Sequence, residues 1–151
     1  MLTLITLLAV LTNQDLPITP DPRLTPGAIN LTINQKNIKK TICVDGYTAR
    51  TGVRNVPETT KTSVFSEYHI NKTISHFEVD HLISLELGGS NDIKNLWPQS
   101  YDTKPYNAHL KDTLENKLHS MICTNKISLV AAQKAIATDW VSAYKEYVEG
   151  Q

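Results

Sequence analysis

Between residues 106 and 123 (YNAHLKDTLENKLHSMIC) apolar side chains recur at Leu110, Leu114, Leu118 and Met121/Ile122, the spacing of one helix face. Pro105 suits the first turn of that helix, and Thr124-Asn125 ends it. Ser128 can cap a final helix whose apolar stripe runs through Leu129, Ala132, Ile136, Trp140, Ala143/Tyr144 and Tyr147. Aromatic residues at that spacing belong to a core. Residues 76–87 (HFEVDHLISLEL) form an apolar stretch closed by Gly88-Gly89. Val79, Leu82, Ile83, Leu85 and Leu87 break strict alternation, which predicts a strand with a bend or loop inside the stretch. Ser90-Asn91-Asp92 reads as a turn, and Ile93–Trp97 as a short second strand. Residues 38–56 (IKKTICVDGYTARTGVRNV) are rich in β-branched residues and broken at Asp45-Gly46 and Thr51-Gly52, which predicts one or two short strands.

The chain of 151 residues suits one domain. Its apolar start, MLTLITLLAVL, falls well short of the ~20 residues of a membrane-spanning helix, so no membrane span is expected. The run has the length of a signal-peptide core, but no Lys or Arg precedes it and no small-x-small cleavage site follows. As a signal peptide it implies a secreted or periplasmic protein; as a plain hydrophobic start, a cytoplasmic one. Pro17, Pro20, Pro22 and Pro26 then mark a linker or extended arm. Residues 1–22 are therefore read as signal and linker, and 23–151 as the folded domain.

Forty per cent apolar and 20% charged residues exclude a disordered or collagen-like chain. Net charge is zero, but residues 23–72 carry eight bases and three acids while 73–151 carry seven bases and ten acids. A basic segment beside an acidic one would suit a phosphate-gripping surface next to a cation site; a solvated mixture of charges would look the same. Lys36, Lys39, Lys40, Arg50, Arg54 and Lys61 are the candidate nucleic-acid contacts, set against a solvated basic face. Cys43 and Cys123 are the only cysteines and form no CxxC pair. In an exported chain they would form a disulfide worth roughly 4 kcal/mol by loop closure; in the cytosol, buried thiols.

The chemistry concentrates in residues 78–97 (EVDHLISLELGGSNDIKNLW). Asp80 offers the carboxylate oxygen a hard divalent cation takes. His81 beside it can accept a proton from water near neutral pH. An asparagine on the returning strand can orient the imidazole through its carbonyl. A metal would stabilise the charge building on a phosphate and its leaving oxygen. These are the parts of a one-metal phosphodiester hydrolase.

Asp80-His81, the Gly88-Gly89 turn and Asn95-Leu96, in that order and spacing, resemble the HNH endonucleases, of the small bacterial and phage type. The core likeness covers about residues 76–120; TICVDGYT at 41–48, KDTLE at 111–115, Ala132-Gln133 and Asp139-Trp140 extend it over most of 24–148. The resemblance implies an α+β fold: a ββα-metal finger with an N-terminal β extension and two C-terminal helices. It implies that Asp80 binds the metal, His81 is the general base, and Asn95 holds the hairpin and His81 in place.

The chain departs from the family pattern in one respect. Where a metal-binding His is usual, about nine residues after the Asn, position 104 is Lys. His109 is then the first choice for the remaining metal ligand, Asn107 the second, and Glu115 a more distant one. The expected cofactor is one divalent ion, Mg²⁺ first, with Mn²⁺, Ni²⁺ or Zn²⁺ also suited to such donors. The expected substrate is DNA, with RNA as an alternative. Two rivals stand beside the nuclease: an inactive HNH scaffold that binds nucleic acid or a protein partner, and an exported structural protein tied by Cys43–Cys123. His69, His76 and His119 are read as surface or packing residues, Glu78 and Glu86 as outer or surface carboxylates, and Trp97 as core.

Overall fold

The computed structural model describes residues 17–50, 52–71 and 76–150. The expected signal segment at residues 1–16 lies outside them. The described chain mixes helix and sheet in the order α1 (Glu58–Glu67), β1 (Phe77–His81), β2 (Leu96–Ser100), α2 (Ala108–Cys123) and α3 (Leu129–Tyr144). β1 and β2 are antiparallel, with Phe77 opposite Ser100, Asp80 opposite Trp97 and His81 opposite Leu96. None of the described helices is long and apolar enough to cross a membrane.

Both C-terminal helices form where the apolar spacing predicts them. Leu114, Leu118 and Ile122 of α2 meet Leu129, Ala132, Ile136, Trp140, Ala143 and Tyr144 of α3 in one core, joined by Ile33, Ile38, Ile42, Ile83 and Leu87. Asn107 caps α2 by accepting from Leu110 N, and Ser128 caps α3 by accepting from Ala131 N. Asn125, at φ 59°, ends α2. Inside α3, Asp139 leaves helical geometry at φ −162° and ψ 96°. Its carboxylate accepts from Val141 N, Ser142 N and Ser142 Oγ, restarting the helix as an internal cap. Burial is opposed there by these bonds, which hold the Asp139 carboxyl below its ordinary range.

The N-terminal β extension is not what forms. Residues 38–56 contain no strand among those described; Ile38–Lys40 and Tyr47–Ala49 are single 3-10 turns. Ile38 and Ile42 are both buried, and their separation of four matches a turn of helix rather than the alternation a half-buried strand would need. α1 follows immediately and was not foreseen, because its sequence ETTKTSVFSE buries only Val64 and shows little apolar periodicity. The second strand also starts later than the sequence suggests. Ile93–Asn95 is a 3-10 turn capped by the Asp92 carboxylate on Lys94 N, and pairing begins at Leu96.

The proline-bearing arm packs as part of the fold. Ile18 O accepts from Trp140 Nε1, Thr25 Oγ1 donates to Leu96 O, and Gly27 N donates to Lys94 O. Ile29 bridges to Gly89, with Asn30 N on Gly88 O and Ser90 N on Ala28 O. The arm thus straps the loop between β1 and β2. At the other end of α2, Cys43 and Cys123 are joined in a disulfide. Closing a loop of 80 residues stabilises the fold by about 4 kcal/mol in the chain-entropy account.

Candidate functional site

The site is built on the loop that follows β1. Gly88 takes a left-handed φ of 74°, and a Cβ on Gly89 would lie 1.7 Å from Ile83 O, so the Gly-Gly pair lets the loop fold onto itself. Asn95 completes the closure. Fully buried, it accepts from Ile83 N (2.9 Å) and Ala28 N (3.3 Å) and donates to Ile83 O (2.9 Å) and Ser90 O (2.8 Å). Its amide is fully used in holding the loop and the arm.

Asn95 therefore secures the hairpin as expected, but it is not the partner of the imidazole. That partner is Asn91, whose Oδ1 lies 2.9 Å from His81 Nε2. Asn91 Nδ2 donates to Val53 O at 2.8 Å, so the amide cannot be turned around without losing that bond. An amide oxygen only accepts, so Nε2 carries the proton and, in the neutral ring, Nδ1 carries the lone pair. Nδ1 has no hydrogen bond among the described residues. His81 is 7% exposed, and this burial pushes its pKa below the ordinary histidine value. The Asn91 bond and Asp80 act the other way; Arg54 and Lys111 add to the depression. The ring is thus an oriented, neutral base at pH 7.

Asp80 faces the other side of β1, toward α2, because successive strand residues point oppositely. There Lys111 Nζ donates to Asp80 Oδ2 (2.6 Å), to His81 O (2.8 Å) and to Glu115 Oε1. Burial opposes charge on Lys111, but Asp80 and Glu115 together hold it protonated above its ordinary range. Burial also pushes Glu115 up to about 7, against the pull of Lys111. Sequence reasoning assigned Lys111 no role. Its signal was positional: Lys111, Leu114, Leu118 and Ile122 lie on one buried stripe of α2, and a lysine there needs buried carboxylates.

Around Asp80 the surface is acidic. Tyr101 donates to Glu78 Oε2 (2.6 Å), and burial lifts the Glu78 carboxyl, with Asp80 and Asp112 adding to the lift. Burial likewise raises Asp112, with Asp80 near enough to contribute. His109, exposed on the first turn of α2, packs at a 40° tilt against Tyr101, with ring centres 5.0 Å apart. Asn107, the second-choice ligand, spends its amide oxygen on the α2 cap. No three His, Cys, Asp or Glu side chains including Asp80 or His109 bring their ligand atoms within 4.8 Å of one another among the described residues. The donor types nevertheless fit a divalent ion: the Asp80 carboxylate, an imidazole, and the Gln99 amide. Gln99 is buried on the same sheet face as Glu78, and both its amide atoms lack partners among the described residues.

The candidate phosphate contacts have different immediate partners. Lys39 donates to Cys123 O at the end of α2, twelve residues or about 18 Å of helix beyond Lys111. Lys40 is exposed beside it in sequence, Arg50 lies over the Tyr47 ring at 5.6 Å, and Lys61 pairs with Glu58 at 3.4 Å. Arg54 alone lies close enough to influence His81. His76 pairs with Asp102 at 3.2 Å. Comparison with protein-family models, curated proteins and solved structures finds no match for this chain.

Proposed function

We propose that the protein is a metal-dependent, HNH-type endonuclease that hydrolyses DNA phosphodiesters, RNA being the alternative substrate. The observation that carries this is His81: a neutral imidazole at the end of β1, oriented through Nε2 by Asn91, with Nδ1 unbonded. Nδ1 can take a proton from an attacking water. The β1–loop–β2–α2 order supports the ββα-metal reading, and Asp80 is turned toward α2. Asp80 and His109 would hold the divalent ion, which would offset the charge developing on the phosphate and leaving oxygen. Arg54, exposed and near His81, is the contact of choice for a phosphate beside the base. The disulfide fits a protein exported to an oxidising compartment.

One feature favours a second reading. Lys111 already places a buried ammonium on Asp80 Oδ2, which suits a scaffold that binds nucleic acid without cutting it. Plasmid nicking by the purified chain, with EDTA, Mg²⁺, Mn²⁺, Ni²⁺ or Zn²⁺, separates the two. The nuclease predicts metal-dependent nicking that falls by about 10²-fold or more in His81→Ala. Retained DNA binding with no cutting under any metal, from a folded protein, selects the scaffold.

A further inference from the structure

Remote from Asp80, the disulfide end of α2 gathers three groups with metal-binding chemistry. His119 precedes Cys123 by one helical turn and puts Nε2 3.5 Å from Cys123 Sγ. Cys43, Cys123 and His119 have their ligand atoms within 4.8 Å of one another, the only such group among the described residues. Positions i and i+4 of a helix project from one face, and burial of Ile42 brings Cys43 against that face. Two sulfurs and an imidazole are the donors zinc takes in preference to harder ions.

We propose that this is a redox-gated zinc site: when the disulfide is reduced, Cys43, His119 and Cys123 bind one zinc-class divalent ion. The disulfide and the metal are alternative ties between residue 43 and the end of α2. A tetrahedral ion with Zn–S bonds of about 2.3 Å holds its two sulfurs about 3.8 Å apart. The two Cα atoms, 5.6 Å apart, can accommodate that separation by side-chain rotation. His119 Nε2 now donates to Ile42 O at 2.8 Å. On binding, the ring moves that proton to Nδ1 and turns the Nε2 lone pair to the metal, leaving Ile42 O to accept from a water in the fourth position.

A phosphine reductant gives two electrons to the S–S bond, takes an oxygen from water to become the phosphine oxide, and leaves two thiols. A cellular dithiol does the same by closing its own disulfide. Metal binding then releases two thiol protons per ion. None of these three ligands belongs to the Asp80–His81 site.

The test uses the whole chain, reduced with a phosphine, freed of reductant without oxygen, and titrated with Co²⁺ as a spectroscopic probe. The expected result is a thiolate-to-cobalt charge-transfer band that saturates at one equivalent, disappears when Zn²⁺ is added, and is absent from the oxidised protein. Two protons should be released per ion in weakly buffered solution. His119→Ala, checked for native circular dichroism in its oxidised form, should bind at least tenfold more weakly. Co²⁺ held at Asp80 or His109 would give no thiolate band and would bind the oxidised protein equally. A reduced wild-type chain without the band overturns the proposal, as does a folded His119→Ala that binds with unchanged affinity and spectrum.

Discussion

Lys111→Met isolates the buried ion clasp between β1 and α2. Methionine keeps most of the side-chain volume and removes the ammonium that serves Asp80, Glu115 and His81 O. Two carboxylates then remain in a site where the lysine side chain is 1% exposed and its partners 15% and 13%. Leaving buried charge uncompensated costs about 3–5 kcal/mol, on the order of 10 °C in Tm for a domain of this size. The cost should depend on pH with a definite sign. In the wild type, burial raises folded Glu115 to about 7 from an ordinary 4.5, so its favourable contribution is present below the unfolded value and is lost as pH rises through about 7. Without Lys111 the folded Glu115 pKa rises further, each additional unit making about 1.4 kcal/mol of stability pH-dependent. Urea unfolding of both proteins at pH 5 and pH 8 measures this. The loss should be larger at pH 8 by at least about 1.4 kcal/mol. A loss below about 1 kcal/mol, equal at both pH values, would refute the buried clasp. Lys111→Met combined with Asp80→Asn and Glu115→Gln should recover part of the stability, because the unpaired charges go with the lysine.

Asn95→Ala strands the backbone groups of Ile83, Ser90 and Ala28 and should lower stability by about 3–5 kcal/mol in urea unfolding. A loss under about 1 kcal/mol would mean the loop is held elsewhere. Gly89→Ala places a methyl 1.7 Å from Ile83 O and should prevent the loop from closing, read as loss of the cooperative thermal transition or a large drop in Tm; a native Tm would contradict the packing of this loop. Because burial lowers the His81 pKa, its neutral form should persist below the ordinary histidine value near 6.5. Nicking should level off on the alkaline side of that depressed pKa, and NMR titration of the His81 ring should give a midpoint below 6.5. The associated stability is fully present above 6.5 and is lost as pH falls through the folded pKa. A midpoint at or above 6.5 would remove the basis for a neutral ring.

The parts of the fold that could be read from residue order are those governed by local rules. α2 and α3 follow from apolar positions spaced for one helix face, with Asn125 ending the first and Ser128 capping the second. The turn at Gly88-Gly89 follows from a backbone approach that only glycine permits. The first strand, the loop behind it and the buried place of Trp97 were legible for the same reason. β-branched residues at 38–56 misled because strand propensity needs a partner strand, and this segment instead packs Ile38 and Ile42 against α2 and α3.

The candidate site was legible in its letters but not in its wiring. Asp80-His81 and Asn95 stand out by spacing, yet which asparagine meets the imidazole depends on how the loop folds, and that choice fell to Asn91, steadied by Val53 from 38 residues away. Lys111 meets Asp80 across 31 residues, and His119 meets the disulfide only because Cys43 arrives from 76 residues earlier. Periodicity, capping and turn chemistry act over a few residues and survive in the linear order. Hydrogen bonds to side chains and buried charge pairs act over a few ångströms, and only the packed chain determines which distant residues share that distance.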